Sequence, residues 1–146
     1  MAMLRCMDTN ATAQTVREVM TPDPITVRAD EAIQVAAALL EENEISGLPV
    51  VDSGGALIGV LAESDLVRAR ATPYLWKNWQ TLAVGDLMHS PALTADREMT
   101  LAEAAALMDR THVHRLIVVA EDQQTPVGIV SASDLVRSMV GERADD

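Results

Sequence analysis

Ser131 and Asp134 stand three residues apart just after an apolar run, and that spacing suits two kinds of chemistry. A carboxylate at the start of a helix, kept ionised by the helix dipole, can accept hydrogen bonds from two neighbouring hydroxyl groups. The same Ser-x-x-Asp spacing is a capping box, in which the two side chains satisfy free N–H groups of the first helical turn. That copy alone leaves both readings open. A second copy of the pattern has Asp65, but Ala62 stands where the serine would be. Alanine has no hydroxyl to cap with, so capping alone does not account for Asp65. The site with the serine is expected to bind more tightly.

Anions need positive charge and hydrogen-bond donors. His112, His114, Arg115 and the N–H groups of the helix after Ser131 could supply them without a glycine-rich loop. Arg115 is the preferred phosphate ligand; a surface ion pair is its plainer alternative, and simple solvent exposure is that of His112. The matched positions in the other copy, Ser46 and Gly47, carry no charge, so anion binding is expected to be lopsided. A hydrolytic triad of Ser131, His114 and Asp134 would lack the Gly-x-Ser-x-Gly elbow. A metal site from His89, His112 and His114 would lack regular ligand spacing and a cysteine partner. The sequence therefore argues against an enzyme and against a metal centre.

These residues recur because the chain is written twice. A shift of 68 positions superposes Met20 on Met88, Thr26 on Thr94, Ala36 to Leu39 on Ala104 to Leu107, and Val50-Val51 on Val118-Val119. A shift of 69 then superposes Gly59 on Gly128 and Ser64 to Arg68 on Ser133 to Arg137. Each copy predicts β-α-β-β-α. A short strand (25–27; 93–94) leads to an Ala-rich helix (31–42; 101–110), a β-branched strand (48–51; 116–119), a turn, a second strand (57–61; 127–130) and a closing helix from about Glu63 or Ala132. The fold class is α/β (α+β), a tandem pair with a pseudo-two-fold axis. The expected organisation is a flexible arm over 1–13, repeats over 14–69 and 84–140, an ordered connector over 70–83 and an acidic tail over 141–146. The connector holds every aromatic residue: Tyr74, Trp76 and Trp79.

Composition narrows the partners. The 146 residues carry 11 Lys plus Arg against 22 Asp plus Glu, a net charge of −11, so the field of the whole molecule repels nucleic acid. No apolar run approaches the roughly 18 residues of a membrane span. The single cysteine, Cys6, has no internal partner and follows no secretory segment, which points to a reducing cytoplasm. With no Phe, the core must be aliphatic, and Met20, Met88 and Met108 are expected to pack in it.

Over roughly residues 14 to 140 the chain resembles a CBS domain pair. The resemblance is carried by Val19-Met20 before Pro24-Ile25-Thr26-Val27, by Gly47 to Asp52, and by Gly128 to Val136. The second repeat is also similar to repeats of the regulatory γ subunit of AMP-activated protein kinase, through His114-Arg115-Leu116 and Ser131 to Asp134. The resemblance implies two related clefts between the repeats that take AMP, ADP or ATP, with S-adenosylmethionine or a dinucleotide such as NAD(H) as alternatives, and no required cofactor. By that likeness the tighter site is Thr21, Ile25, Thr26, Ser46, His114, Arg115, Ser131, Ser133 and Asp134, with the aspartate on the ribose. The weaker one is Leu93, Thr94, Val113 and Asp65. It further implies a homodimer that acts as a ligand sensor for a separate effector protein. A protein-interaction module with empty clefts is the competing reading.

Overall fold

The computed structural model describes residues 14–144, so the arm expected over 1–13 lies outside the described residues. The chain forms two compact units. One comprises the described residues up to Pro22, Thr94–Gln123 and Val127 onward; the other comprises Asp23–Leu93 with Gln124–Pro126. Their boundaries do not follow the two copies of the repeat. The segment that precedes the first copy's strand folds with the second copy, and the segment that precedes the second copy's strand folds with the first.

In the unit built on the first copy, β2 (Val27–Arg28) runs parallel to β3 (Gly47–Val51), with helix α2 (Ile33–Glu42) as the crossover. Strand β4 (Leu57–Ala62) returns antiparallel to β3. Apolar residues at helical spacing, Ile33, Ala36 and Leu40, turn one face of α2 inward, where they meet Leu48, Val50 and Leu61 of the sheet. Strand β3 is buried along its whole length, which is why it reads as a continuous apolar run rather than an alternating one. Helix α3 (Glu63–Ala71) closes the repeat and adds Ala69 to the core.

The connector is helical in two short pieces, α4 (Pro73–Lys77), begun by a proline at its first position, and a 3₁₀ turn at Trp79–Thr81. Trp76 and Trp79 lie with ring centroids 5.4 Å apart, and the Arg70 guanidinium sits 4.5 Å over the Trp76 ring. Leu82 then enters the core, followed by helix α5 (Val84–Leu87), which buries Val84 and Leu87 in the same cluster.

The other unit repeats the plan. Strand β5 (Thr94–Asp96) runs parallel to β6 (Arg115–Val119), with α6 (Leu101–Thr111) between them, and β7 (Pro126–Ser131) precedes α7 (Ala132–Ala144). Helix α6 carries the predicted capping box: Glu103 N–H donates to Thr100 Oγ1 at 3.1 Å, and Thr100 N–H donates to Glu103 Oε1 at 2.9 Å. Helix α1 (Val16–Val19) and strand β1 (Thr21–Pro22) complete this unit, and the sheet order is β1-β7-β6-β5. Val16, Ala104, Met108, Leu116, Val118 and Val130 are buried in it. Helix α7 runs on through Ala144, into the stretch read from sequence as an acidic tail, while Asp145 and Asp146 lie outside the described residues.

Sequence reading missed α1, β1 and α5, which are too short to show a period. They matter because β1, and His89 just after α5, lay backbone along a strand of each sheet. Thr21 pairs with Ile129 and Pro22 with Gly128 on β7; His89 bridges to Val60 on β4, with hydrogen bonds of 2.9 Å in both directions. Gly59 makes the second approach possible, since a Cβ there would stand 2.7 Å from the His89 carbonyl oxygen and 2.8 Å from Met88 Sδ. At Gly128 a Cβ would meet Met20 Sδ and the Thr21 carbonyl oxygen. The glycines that the repeat matches thus serve the same contact. Gly59→Ala is expected to lower stability by about 1–3 kcal/mol, since the obstacle is backbone that cannot rotate away. Gly54→Ala, in an exposed turn, should stay within about 0.5 kcal/mol of wild type. Chemical denaturation of the two variants checks the contrast, and equal midpoints would refute it.

Candidate functional site

Strand β7 ends at Ser131 and α7 begins at once, so the serine sits at the helix N-cap. Asp134 N–H donates to Ser131 Oγ at 3.2 Å, Ser131 N–H donates to Asp134 Oδ2 at 2.8 Å, and the serine hydroxyl lies 3.0 Å from the same Oδ2. The capping box predicted as one of two readings is present. It occupies Oδ2 and leaves Oδ1 facing the Arg137 guanidinium, 2.9 Å away. The Asp134 side chain is 12% exposed, whereas that of Arg137 is 71% exposed. An exposed arginine on a flexible stem gives up such a pair for little energy, about 1 kcal/mol or less. The partner of Oδ1 is thus an exposed and weakly held side chain.

His114 and Arg115 enter β6 beside this cap. The His114 carbonyl accepts the N–H of Ala132 at 2.8 Å, which ties the start of β6 to the start of α7. The His114 side chain is exposed and Arg115 is half-buried. Thr21, exposed on β1, lies across from the β7 residue Ile129. Thr21, Val113, His114, Arg115, Ser131, Ser133, Asp134 and Thr94 thus belong to one compact unit. Ile25, Thr26, Ser46, Asp65 and Leu93 belong to the other. Each unit carries one of the two cap carboxylates.

Asp65 keeps half of the cap. Its Oδ2 accepts the N–H of Ala62 at 2.8 Å, so the aspartate half of the cap survives without a serine. Its Oδ1 accepts from Arg68 Nη1 at 2.9 Å and lies 3.0 Å from His89 Nε2. Capping and ion pairing together account for Asp65, whose side chain is completely buried. A buried carboxylate needs such partners, because an unpaired charge removed from water is costly. Arg68 is held in turn by the Leu87 carbonyl at 3.2 Å. Ser46 plays the part of His114, its carbonyl accepting Glu63 N–H at 3.0 Å.

Sequence reasoning weighed His89 only as a metal ligand and set that site aside; the structure places it against Asp65. The signal was available: the shift of 68 that puts Met20 on Met88 also puts Thr21, a candidate site residue, on His89.

The CBS domain family model matches residues 16–72 and 84–141. The chain is 34% identical over 130 residues to the CBS domain-containing protein YhcV of Bacillus subtilis, covering 88% of this chain and 89% of that protein. Among solved structures it is similar to CBSX2 in complex with AMP, with 31% identity and a TM-score of 0.75 over 88% of this chain and 98% of that one. It is also similar to the CBS domain pair of protein MJ0100 in complex with 5′-methylthioadenosine and S-adenosyl-L-methionine, with 26% identity and a TM-score of 0.79 over 89% and 98% of the respective chains. Two matched family domains, a doubled βαββα plan and paired cap carboxylates lead to one statement: the chain belongs to the CBS domain family and is a tandem CBS pair.

Proposed function

We propose that this CBS pair is a non-catalytic sensor that binds an adenine nucleotide at the Asp134 site and passes the signal to a separate effector protein. The observation that carries the reading is the Asp134 carboxylate, whose Oδ1 meets an exposed arginine, at the start of a 13-residue helix whose dipole favours the ionised form. A ribose hydroxyl would donate to that oxygen as Arg137 swings into solvent. Arg115 and His114, at the adjoining end of β6, supply the positive charge that a phosphate needs in a chain of net charge −11. The AMP bound by CBSX2 supports this choice of ligand. The adenosine ligands of MJ0100 fit the same ribose acceptor, but they carry no phosphate for Arg115. AMP, ADP and ATP are therefore preferred over S-adenosylmethionine.

Two variants separate the parts of the site. Asp134→Asn keeps size and much of the cap but loses the charge and one acceptor, and should weaken adenosine and AMP alike by about 1.5–3 kcal/mol. Arg115→Ala should leave adenosine unchanged and weaken AMP. Calorimetry with both ligands is the measurement. If Asp134→Asn bound both as wild type does, the aspartate would be a helix cap alone and the interaction-module reading would stand.

We further propose a homodimer working in the cytoplasm. Val67 on α3 and Val136, Met139 and Val140 on α7 are all more than half exposed, an apolar display suited to helix packing against a second copy. No helix among the described residues is long and apolar enough to cross a membrane and bury them in lipid. Sedimentation at micromolar concentration should give twice the 15.7 kDa chain mass, and a species at 15.7 kDa would contradict the dimer.

A further inference from the structure

Two positions that the repeat makes equivalent carry different residues, and one of them stands beside a cap carboxylate. Thr21 pairs with Ile129 on the edge of β7, and His89 bridges to Val60 on the edge of β4. The shifts of 68 and 69 that align the copies put Thr21 on His89 and Val60 on Ile129, so the two residues occupy the same station. Their reach differs. The imidazole of His89 extends to the carboxylate, placing Nε2 3.0 Å from Asp65 Oδ1; a threonine hydroxyl, carried on Cβ, has a much shorter reach.

The consequence is a difference in free acceptor capacity. A carboxylate oxygen has two lone pairs. Asp65 Oδ1 accepts from Arg68 and has His89 Nε2 standing 3.0 Å away, and Oδ2 accepts the Ala62 N–H. Asp134 Oδ1 faces Arg137 alone among the described residues. The Asp65 side chain is 0% exposed and that of Asp134 12%. The contacts that close Asp65 are anchored as well. Arg68 is held by the Leu87 carbonyl, His89 by two backbone bonds to Val60, and Ser90 Oγ by a bond of 2.6 Å to the Ile58 carbonyl. A tethered imidazole competes with a dissolved ligand at high effective concentration.

We propose that His89 is the specificity-determining residue of the pair. Its imidazole takes the Asp65 acceptor that a ribose hydroxyl would need and keeps that site closed, while Thr21 leaves the Asp134 site open. The inference rests on reading Asp134 as the ribose acceptor. It adds that the first copy's aspartate has the same capacity and is withheld from ligand by the chain itself.

The test is calorimetry of the full chain with adenosine and AMP. Wild type should show one site per chain and His89→Thr two. In the double variant that adds Asp134→Asn, the remaining site should be the one at Asp65. It should favour AMP little over adenosine, because Ser46 and Gly47 bring no charge to it. The His89 side chain is 63% exposed and its bonds to Val60 are backbone bonds, so the fold survives the substitution. A reciprocal variant makes the outcome independent of that expectation: Thr21→His should weaken AMP at the Asp134 site by about tenfold or more. Two equivalent sites in wild type, one site in a folded His89→Thr, or unchanged affinity in Thr21→His would each overturn the inference. Absence of any site in wild type would instead sink the ribose reading beneath it, and a site that appeared only in His89→Thr would support the closure by His89.

Discussion

At Gly59 the carbonyl oxygen of His89 stands 2.7 Å from where a Cβ would be, and at Gly128 the Thr21 carbonyl and Met20 press in the same way. Any side chain at either glycine would push the neighbouring backbone off the sheet edge. Much follows from that approach. It gives each sheet an additional edge partner, it lets Met20 and Met88 fill the space a side chain would have taken, and it brings His89 against Asp65 in the helix that starts at the end of β4. The surroundings of the Asp65 carboxylate thus depend on a residue delivered there along a glycine.

Five helices among the described residues use a first-turn carboxylate in one manner. Glu18, Asp65, Asp86, Glu103 and Asp134 each accept the N–H of the residue three positions earlier, at 2.7 to 2.9 Å. Part of the acidic excess of the chain is therefore structural, placed where helix dipoles stabilise negative charge. A side chain that caps a helix with one oxygen can still offer the other. Asp65 and Asp134 share that duality and differ in what lies over the second oxygen.

The repeat made most of the fold legible from sequence. Strands β3 and β6, helices α2 and α6 and the turn into each closing helix fall within a few residues of their predicted limits, because burial leaves a clear mark in aliphatic runs such as Leu48 to Val51 and Leu116 to Val119. The short pieces were not legible. Two residues of β1 or four of α5 have no period; β1 is held by pairing with β7 far along the chain, and α5 by burying Val84 and Leu87 in the core. The candidate site was legible where one copy could be compared with the other, as at Asp65 and Asp134. Residue type alone did not show the place of His89: it was weighed and set aside as a metal ligand, and only its register against Val60 and its 3.0 Å approach to Asp65 show where it lies.

The exchange of edge segments between the copies also shapes how the chain can be made. Strand β1 is among the first described residues to leave the ribosome, yet its partner Ile129 is among the last. The unit that begins at Asp23 has nearly all of its residues in place by Leu93, so it can close first and wait. The earlier segment must stay unpaired until β7 exists, and closing that long loop slows the step, since contacts distant in sequence form late. Cutting the chain between the copies would consequently give two fragments that each carry the other's edge. Neither repeat is separable along the sequence, so any signal written on one is held by a stretch of backbone that belongs, by order of synthesis, to the other.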